Sequence, residues 1–472
     1  MIPREARRRE VVGAALGAVA LALPMAFLWG FSVDDAFITA RVAAHVASGV
    51  GHRFNSGGPV VDAVTPLAFP YLIAPFSGGD VLRAYLFTKW LGAASGLASA
   101  ALLGAWLSRR SRSALVVLVP LALSTPLAAW CVSGMETGLV VLLCTLSLVG
   151  TPFGALAAGL AASLRPELVP WAVASVALST FDPAPERRRP AMRAALALGP
   201  AVLVALVRTL AFGSPVPLAF HAKPSDAAHG LFYVAGALLW TGAPWLVVAP
   251  GIRSLPSRER GLLAAFAVHC LALVACGGDW MSLFRLFVPI LPSLFLVGGR
   301  LVADSSWPAS AVRVGMATVV SAVLLASKGP VARGVEARRF EFIRDARPAL
   351  SGATRIAALD VGWVGVASPA AIVDLAGVTD ASVARLPGGH TSKHIPERFL
   401  EHRGADAVVL LLAPGASVSG TSMGEVSPGS WARAVEARAA HEAAELSFVV
   451  RAVVPRSGGS ERYVVLRVQN GP

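Results

Sequence analysis

The chain has 472 residues, 55% of them hydrophobic and 15% charged, with a mean hydropathy of +0.64. That composition excludes an ordinary soluble domain and a disordered chain, and it describes a polytopic membrane protein. The net charge of +13 fits Lys and Arg placed as orientation signals beside membrane helices, and no nucleic-acid partner is needed to explain it.

The first 30 residues imitate a signal peptide, with Arg4, Arg7, Arg8 and Arg9 ahead of an apolar segment. That segment runs about 20 residues, which is spanning length and predicts an uncleaved first helix. Apolar runs of spanning or near-spanning length lie at 11–31, 81–107, 113–131, 137–150, 151–164, 166–180, 194–212, 228–250, 261–276, 286–304 and 311–328. They predict about 11 transmembrane helices, with the short fourth, fifth and sixth runs as broken or tilted spans. Cys131, Cys144, Cys270 and Cys276 sit in or beside these runs without a Cys-x-x-Cys pair, so they read as packing residues.

Basic clusters at 4–9, 109–112, 187–193 and 253–260, with the pair Arg300 and Arg313, all fall on one side of such a path. The positive-inside rule then predicts a cytoplasmic amino terminus, and an odd number of crossings predicts an extracytoplasmic carboxy-terminal domain. The complementary loops, 32–80, 133–137, 164–167, 212–226 and 276–285, hold nearly every unusual charge of the membrane region. A one-sided wall of ionisable groups fits an interfacial site better than a transport path, which needs charges through the midplane.

Two domains are expected: a transmembrane domain over 1–328 with a candidate active-site loop at 32–80, and a soluble α/β domain over 329–472. In the second, strands are predicted at 355–360, 371–375, 406–412, 448–454 and 462–468, helices at 396–402 and 430–445, and a Pro/Gly/Ser-rich loop at 414–430.

The adjacent acids Asp34 and Asp35 follow directly on the first apolar run. Carboxylates favour a helix start, and Gly49 with Gly51 stop it. On that helix Asp34, Ile38, Arg41 and His45 share one face, while Asp35 points about 100° away. One acid then reads as a general base and the other as a positioning, charge-tuning or metal-binding partner. The alternative is that both cap a surface helix.

The segment Asp34-Asp35-Ala36-Phe37-Ile38-Thr39-Ala40-Arg41, followed by Gly51-His52-Arg53-Phe54-Asn55-Ser56-Gly57 and by Val61-Asp62-Ala63-Val64-Thr65-Pro66-Leu67, resembles the opening loop of a GT-C membrane glycosyltransferase family. That family contains the mycobacterial terminal β-(1→2)-arabinofuranosyltransferase. The resemblance continues through Ser133-Gly134-Met135-Glu136-Thr137, Arg165-Pro166-Glu167, Phe212-Gly213-Ser214-Pro215 with His221-Ala222-Lys223, and Gly277-Gly278-Asp279-Trp280-Met281 with Arg285. It extends to Asp360-Val361-Gly362-Trp363 and to Val373-Asp374-Leu375-Ala376-Gly377. The chain departs from the pattern where Asp62 replaces Glu, Ala63 replaces Gly, and no Trp follows Leu67.

The resemblance implies an inverting transferase of the bacterial inner membrane. It would move a sugar from a polyprenyl-phosphate donor to a cell-envelope glycan or lipid acceptor on the outer face. Asp34 or Asp35 is then the catalytic base, and Arg41, Arg165, Lys223 and Arg285 are candidate donor-phosphate cations. Asp62, Glu136, Glu167, Asp279 and His390 are candidate substrate-binding or positioning residues. Bland alternatives stand beside these roles: a helix-end pair for Arg165 and Glu167, an interfacial anchor for Lys223, a structural ion pair for Asp279 and Arg285, and a solvated loop for His390. A divalent cation is compatible with the clustered oxygen donors, although no ligand spacing requires one. Two other functions are weighed: a non-catalytic scaffold for envelope or flagellar assembly, and a transporter of lipid-linked glycans.

Overall fold

A computed structural model describes residues 4–179, 190–248, 254–416, 430–455 and 461–469. Arg187, Arg188, Arg189 and Arg253 of the predicted basic clusters, and most of the predicted 414–430 loop, lie outside the described residues.

Five helices are long and apolar enough to cross a bilayer: Arg4–Phe27, Val81–Arg110, Pro190–Phe212, Ser257–Cys276 and Trp307–Leu350. The pair Ser113–Leu121 and Thr125–Cys131, bent by 66°, makes a sixth if it is one span. Thr137–Leu148, Gly154–Leu164, Pro166–Leu178 and Ala227–Trp240 are apolar but shorter, and Leu291–Asp304 has 14 residues. Every predicted run is thus largely helical, yet several are short. A 14-residue helix rises about 21 Å against the roughly 30 Å of a hydrocarbon core. Proline punctuates the shorter ones, at Pro126, Pro166 and Pro292, where it starts a helix without losing a needed amide. Val202, Leu203, Leu206 and Leu210 are all exposed on the Pro190–Phe212 helix, a face suited to lipid.

The chain forms two compact units. The helical unit comprises Met1–Ser32, Thr88–Val207 and Ser225–Val335, and the mixed unit comprises Val33–Phe87, Arg208–Pro224 and Glu336–Pro472. The division therefore does not fall at one point near residue 328, because the 32–80 loop groups with the carboxy-terminal segment. The cause is hydrophobic. Ile38, Val42, Phe54, Val61 and Val64 are buried in one cluster with Ile356, Trp363, Val409 and Tyr463.

Within the helical unit, small residues let backbones approach. A Cβ at Gly17 would collide with the carbonyl of Ala100, so the Arg4–Phe27 and Val81–Arg110 helices cross closely there.

The mixed unit is built on a five-stranded sheet of order β2-β1-β3-β5-β4, with β1 Arg355–Ala358, β2 Ala371–Asp374, β3 Ala407–Leu411, β4 Phe448–Val454 and β5 Tyr463–Val468. The pairs β1/β2 and β1/β3 are parallel, and β3/β5 and β4/β5 are antiparallel. Period-two alternation assigns the faces. Ile356, Ala358, Ala407, Val409, Tyr463 and Val465 join the cluster shared with the 32–80 segment, where Phe342, Trp363 and Tyr463 pack with ring centroids 5.0–5.7 Å apart. Ala357, Val408, Leu410, Val464 and Leu466 face the opposite cluster, covered by Val435, Ala439 and Ala443 of the Ala434–Glu445 helix.

Candidate functional site

In the mixed unit the first acid begins the Asp34–Ala47 helix, as expected, and its carboxylate is committed to backbone. Asp34 Oδ2 accepts the Gly362 amide and Oδ1 the Trp363 amide, each at 2.8 Å. Those amides open the Val361–Ala367 helix, whose first N–H groups have no partner inside the helix. Two turns along the same face, Arg41 holds the other end. Its Nη1 donates to the Gly365 carbonyl, its Nη2 to Ala370 O at 3.3 Å, and its Nε to Phe54 O at 2.8 Å, with the guanidinium 5.1 Å over the Phe54 ring. An acid at the amino end and a cation at the carbonyl end both complement a helix dipole. Glycine makes the approach feasible, since a Cβ at Gly362 would strike the Asp34 carbonyl and one at Gly365 would strike the Arg41 guanidinium.

Asn55 closes the same seam. Its side-chain amide exchanges both hydrogen bonds with Ile372, at 2.9 Å each, and so acts as an extra strand residue on the edge of β2. The resemblance motif of the first loop is therefore used in large part to fasten residues 34–55 to residues 361–372.

A buried charge network surrounds Asp34 that sequence reading missed. Arg339 Nη1 lies 3.8 Å from Asp34 Oδ1. Asp360 is bound by Arg433 at 2.8 Å and by the Tyr463 hydroxyl at 2.6 Å, and Arg433 also pairs with Glu436 at 2.6 Å. Burial lifts the Asp34 carboxyl to about 6, against the pull of Arg339 and the two amides, with the Asp360 charge adding to the lift. Burial also works against the charge on Asp360, yet Arg433, Arg339 and the Tyr463 hydroxyl hold it down at about 2. Opposite shifts in two neighbouring carboxyls follow from their unequal share of cations. Asp35 is half-buried and makes neither of the Asp34 bonds to the Val361–Ala367 helix.

The remaining predicted residues of this unit are dispersed. Asp62 forms a buried ion pair with Arg208 at 2.8 Å, and Arg208 also donates to the carbonyls of Val64 and Thr65. Beside them the buried His52 ring stacks on Tyr71 at 5.6 Å, and neither ring nitrogen has a hydrogen-bond partner among the described residues. Burial, with Arg208 nearby, lowers the imidazole to about 4 and leaves it neutral. Lys223 is half-buried just after the Leu218–Ala222 helix and makes no side-chain hydrogen bond or ion pair among the described residues. His390 is half-buried in the loop before Lys393, whose ammonium donates to Ala384 O and Leu386 O.

In the helical unit, three separate stretches bring their charges into the interior. Arg165 Nη1 donates to Glu136 Oε1 at 2.9 Å, and Arg165 Nε lies 2.9 Å from Glu167 Oε1. Arg285 Nε donates to Asp279 Oδ2 at 2.8 Å, and its guanidinium lies 5.7 Å from the Trp130 ring centre. All five charged residues are buried, with Glu136 wholly so. The second oxygen of Glu136 and Nη2 of Arg165 have no hydrogen-bond partner among the described residues.

Two residues that sequence reading passed over connect the groups. The Tyr233 hydroxyl accepts the Leu286 amide at 2.9 Å and lies in the field of Asp279, Arg285 and Arg165. His269 Nε2 is 2.9 Å from Leu286 O and lies in the field of Glu167 and Arg165. The loop that carries Arg285 is strained, with Leu283 and Phe284 at φ of 61° and 55°. Positive φ at bulky residues costs about 1–3 kcal/mol each and persists where the surroundings enforce it. Trp130 Nε1 donates to Leu283 O at 2.9 Å and supplies part of that enforcement.

Among the described residues no group of three or more His, Cys, Asp or Glu side chains is placed to hold a metal ion. No family model, no curated protein and no solved structure matches this chain.

Proposed function

We propose that the chain is a membrane glycosyltransferase that uses a polyprenyl-phosphate-linked sugar and acts on a cell-envelope glycan or lipid at the outer face of the bacterial inner membrane. About 11 crossings with a cytoplasmic amino terminus belong to this reading, as does an extracytoplasmic carboxy-terminal domain. The observation that carries it is the gathering of Glu136, Arg165, Glu167, Asp279 and Arg285, from three distant stretches, into the interior of the helical unit. Charges buried in a membrane body are expensive and mark functional positions.

The chemistry asks for few groups. An acceptor hydroxyl attacks the anomeric carbon and loses its proton to a carboxylate, while the bond from that carbon to the phosphate oxygen breaks and the polyprenyl phosphate leaves with the electron pair. A phosphate leaving group needs fixed cations, for which Arg165 and Arg285 are the candidates. Asp34 and Asp35 are the candidate carboxylates for the proton, and Asp34 also accepts two amides.

Membranes containing the chain should transfer labelled sugar from a polyprenyl-phosphate donor to envelope acceptors, and matched membranes lacking it should not. Linkage and mass analysis of the envelope glycans identifies the product. Equal transfer by both membranes overturns the reading. A second reading, a scaffold of the same architecture, is favoured by one observation: Asp34, Arg41 and Asn55 engage backbone partners in the mixed unit. That reading expects envelope defects on deletion with no transfer in the assay.

A further inference from the structure

The short helix Phe69–Ser77 of the mixed unit carries no charged residue. One side of it, Phe69, Pro70, Ile73, Ala74 and Ser77, is buried, and the helix packs on Asp34–Ala47. The other side is an exposed stripe of Ala68, Tyr71, Leu72, Pro75 and Phe76, at the i, i+3, i+4, i+7 and i+8 positions of one helix face. Tyr71, Leu72 and Phe76 are 50%, 47% and 53% exposed. A helix that is apolar on both sides belongs in a core or in lipid, and only half of this one faces the core.

The chain itself sets the helix beside a membrane span. Gly78 and Gly79, at φ of 58° and 79°, end it and turn the chain into the spanning helix Val81–Arg110. Phe76 stacks on Phe87 of that helix, with ring centroids 4.2 Å and planes 10° apart. From Trp90 to Arg109 the span runs 19 residues, a rise of about 28 Å against the roughly 30 Å of a hydrocarbon core. Arg109 therefore marks one boundary of the core and Trp90, 64% exposed, marks the other, as interfacial tryptophans do. Over the same stretch the exposed residues of the span change from Arg83 to Leu86 and Trp90. Phe87 lies about one turn above Trp90, so the helix stacked on Phe87 falls at the level of the lipid headgroups.

We infer that Phe69–Ser77 is an interfacial helix, lying in the headgroup layer with its exposed stripe turned to the acyl chains. The occupant of the stripe is the lipid surface, because the stripe runs through the stacked Phe76 and Phe87 into the exposed Leu86 and Trp90 of a membrane span. Tyr71 suits that level, with an apolar ring for the acyl boundary and a hydroxyl for the headgroups. Lacking charge, the helix is held by buried apolar area and needs no anionic lipid. Part of the 32–80 segment is thereby a membrane element, and the Asp34–Ala47 helix packed on it is carried one helix-packing distance, about 8–10 Å, from the headgroup layer. The inference stands whether or not the chain transfers sugar.

The test uses the full chain in phosphatidylcholine nanodiscs, with Cys131, Cys144, Cys270 and Cys276 replaced by Ala and a single nitroxide at Leu72→Cys, at Phe76→Cys or, as an aqueous control from the same unit, at the exposed Ser56→Cys. Collision of the nitroxide with molecular oxygen reports lipid, and collision with a water-soluble nickel chelate reports water. Labels at 72 and 76 should favour oxygen, as should one at Trp90→Cys, and the label at 56 should favour nickel, so that the ratio inverts between them. Added phosphatidylglycerol or salt should leave the ratios unchanged, because the stripe has no charge to screen. Nickel access at 72 and 76 equal to that at 56 overturns the inference. So does exclusion of both reagents there, which would mean that protein, such as a second copy, covers the stripe. If the cysteine-free chain fails to fold, benzoylphenylalanine in place of Leu72, with the native cysteines intact, should attach to phospholipid on irradiation, and attachment to protein or to nothing overturns the inference.

Discussion

Replacing Asp34 and Asp35 separately should divide two roles that adjacent carboxylates otherwise share. In Asp34→Ala the amides of Gly362 and Trp363 both lose their acceptor at 2.8 Å. Leaving a buried donor unsatisfied costs about 1–3 kcal/mol, and these two amides are only partly buried, so a total near 1–3 kcal/mol is expected. For a unit of this size that lowers the melting temperature by about 2–12 °C. Asp34→Asn keeps one acceptor oxygen but turns an NH2 donor towards the other amide, so it should fall between Asp34→Ala and the unaltered chain. Asp35→Asn should abolish transfer from the polyprenyl-phosphate donor. The assay pair is thermal unfolding of the purified full chain and sugar transfer in membranes. If Asp34→Ala melts like the unaltered chain, the cap is energetically idle. If Asp35→Asn transfers at the full rate, Asp35 is not the base.

Three other outcomes are expected. Arg41→Lys should destabilise the mixed unit by about 2–3 kcal/mol, because an ammonium cannot reproduce a fork that reaches Phe54, Gly365 and Ala370 together; denaturant unfolding measures it. Asp34 and Asp374, both lifted to about 6 from 3.8, should add stability as pH falls from above 6 towards 4, because the folded chain binds more protons there, whereas the buried His52 imidazole, lowered to about 4, should withdraw it over the same window. Comparison with Asp34→Asn isolates the first term: unfolding midpoints from pH 7 to pH 4 should move in favour of the unaltered chain as pH falls, and a movement in favour of the variant would refute the sign. Replacing Glu136, Arg165 and Glu167 together by Gln, Met and Gln should preserve folding in detergent while ending sugar transfer, whereas Arg165→Ala alone should cost about 3–5 kcal/mol by stranding two carboxylates.

The sheet was legible because its signal is local. All five strands fall within predicted segments, and β4 matches its predicted range in full, since alternation of apolar residues over four to seven positions both marks a strand and assigns its faces. The Asp34–Ala47 helix was legible for the same reason, with acids at its start and apolar residues at helical spacing. Membrane spans were less so, because apolar composition reports partitioning and says little about where Pro152, Pro166 or Pro292 interrupts a run. The role of Asp34 was not legible at all. Its partners lie 328 and 329 residues away, and those of Arg41 up to 329, so a helix cap and an active-site acid look the same in one sequence. Arg208, Arg339 and Arg433 escaped attention because no local pattern sets apart an arginine that will meet a distant carboxylate.

The two groups of charges therefore call for different explanations. In the mixed unit, Asp34 and Arg41 answer the unpaired amides and carbonyls of one short helix, and stability alone accounts for them. In the helical unit the ion pairs answer no such need. A buried pair is often no better than well-packed apolar residues of the same volume. The Glu136 and Arg165 atoms without partners among the described residues make the balance worse, since an unmatched buried polar atom is a further penalty. Under the proposed transfer, preorganisation would offset that penalty: cations fixed before the donor arrives need no reorganisation when a leaving phosphate takes up its charge. On the proposed function, replacements at Glu136, Arg165, Glu167, Asp279 and Arg285 should therefore cost sugar transfer more than the packing they supply accounts for.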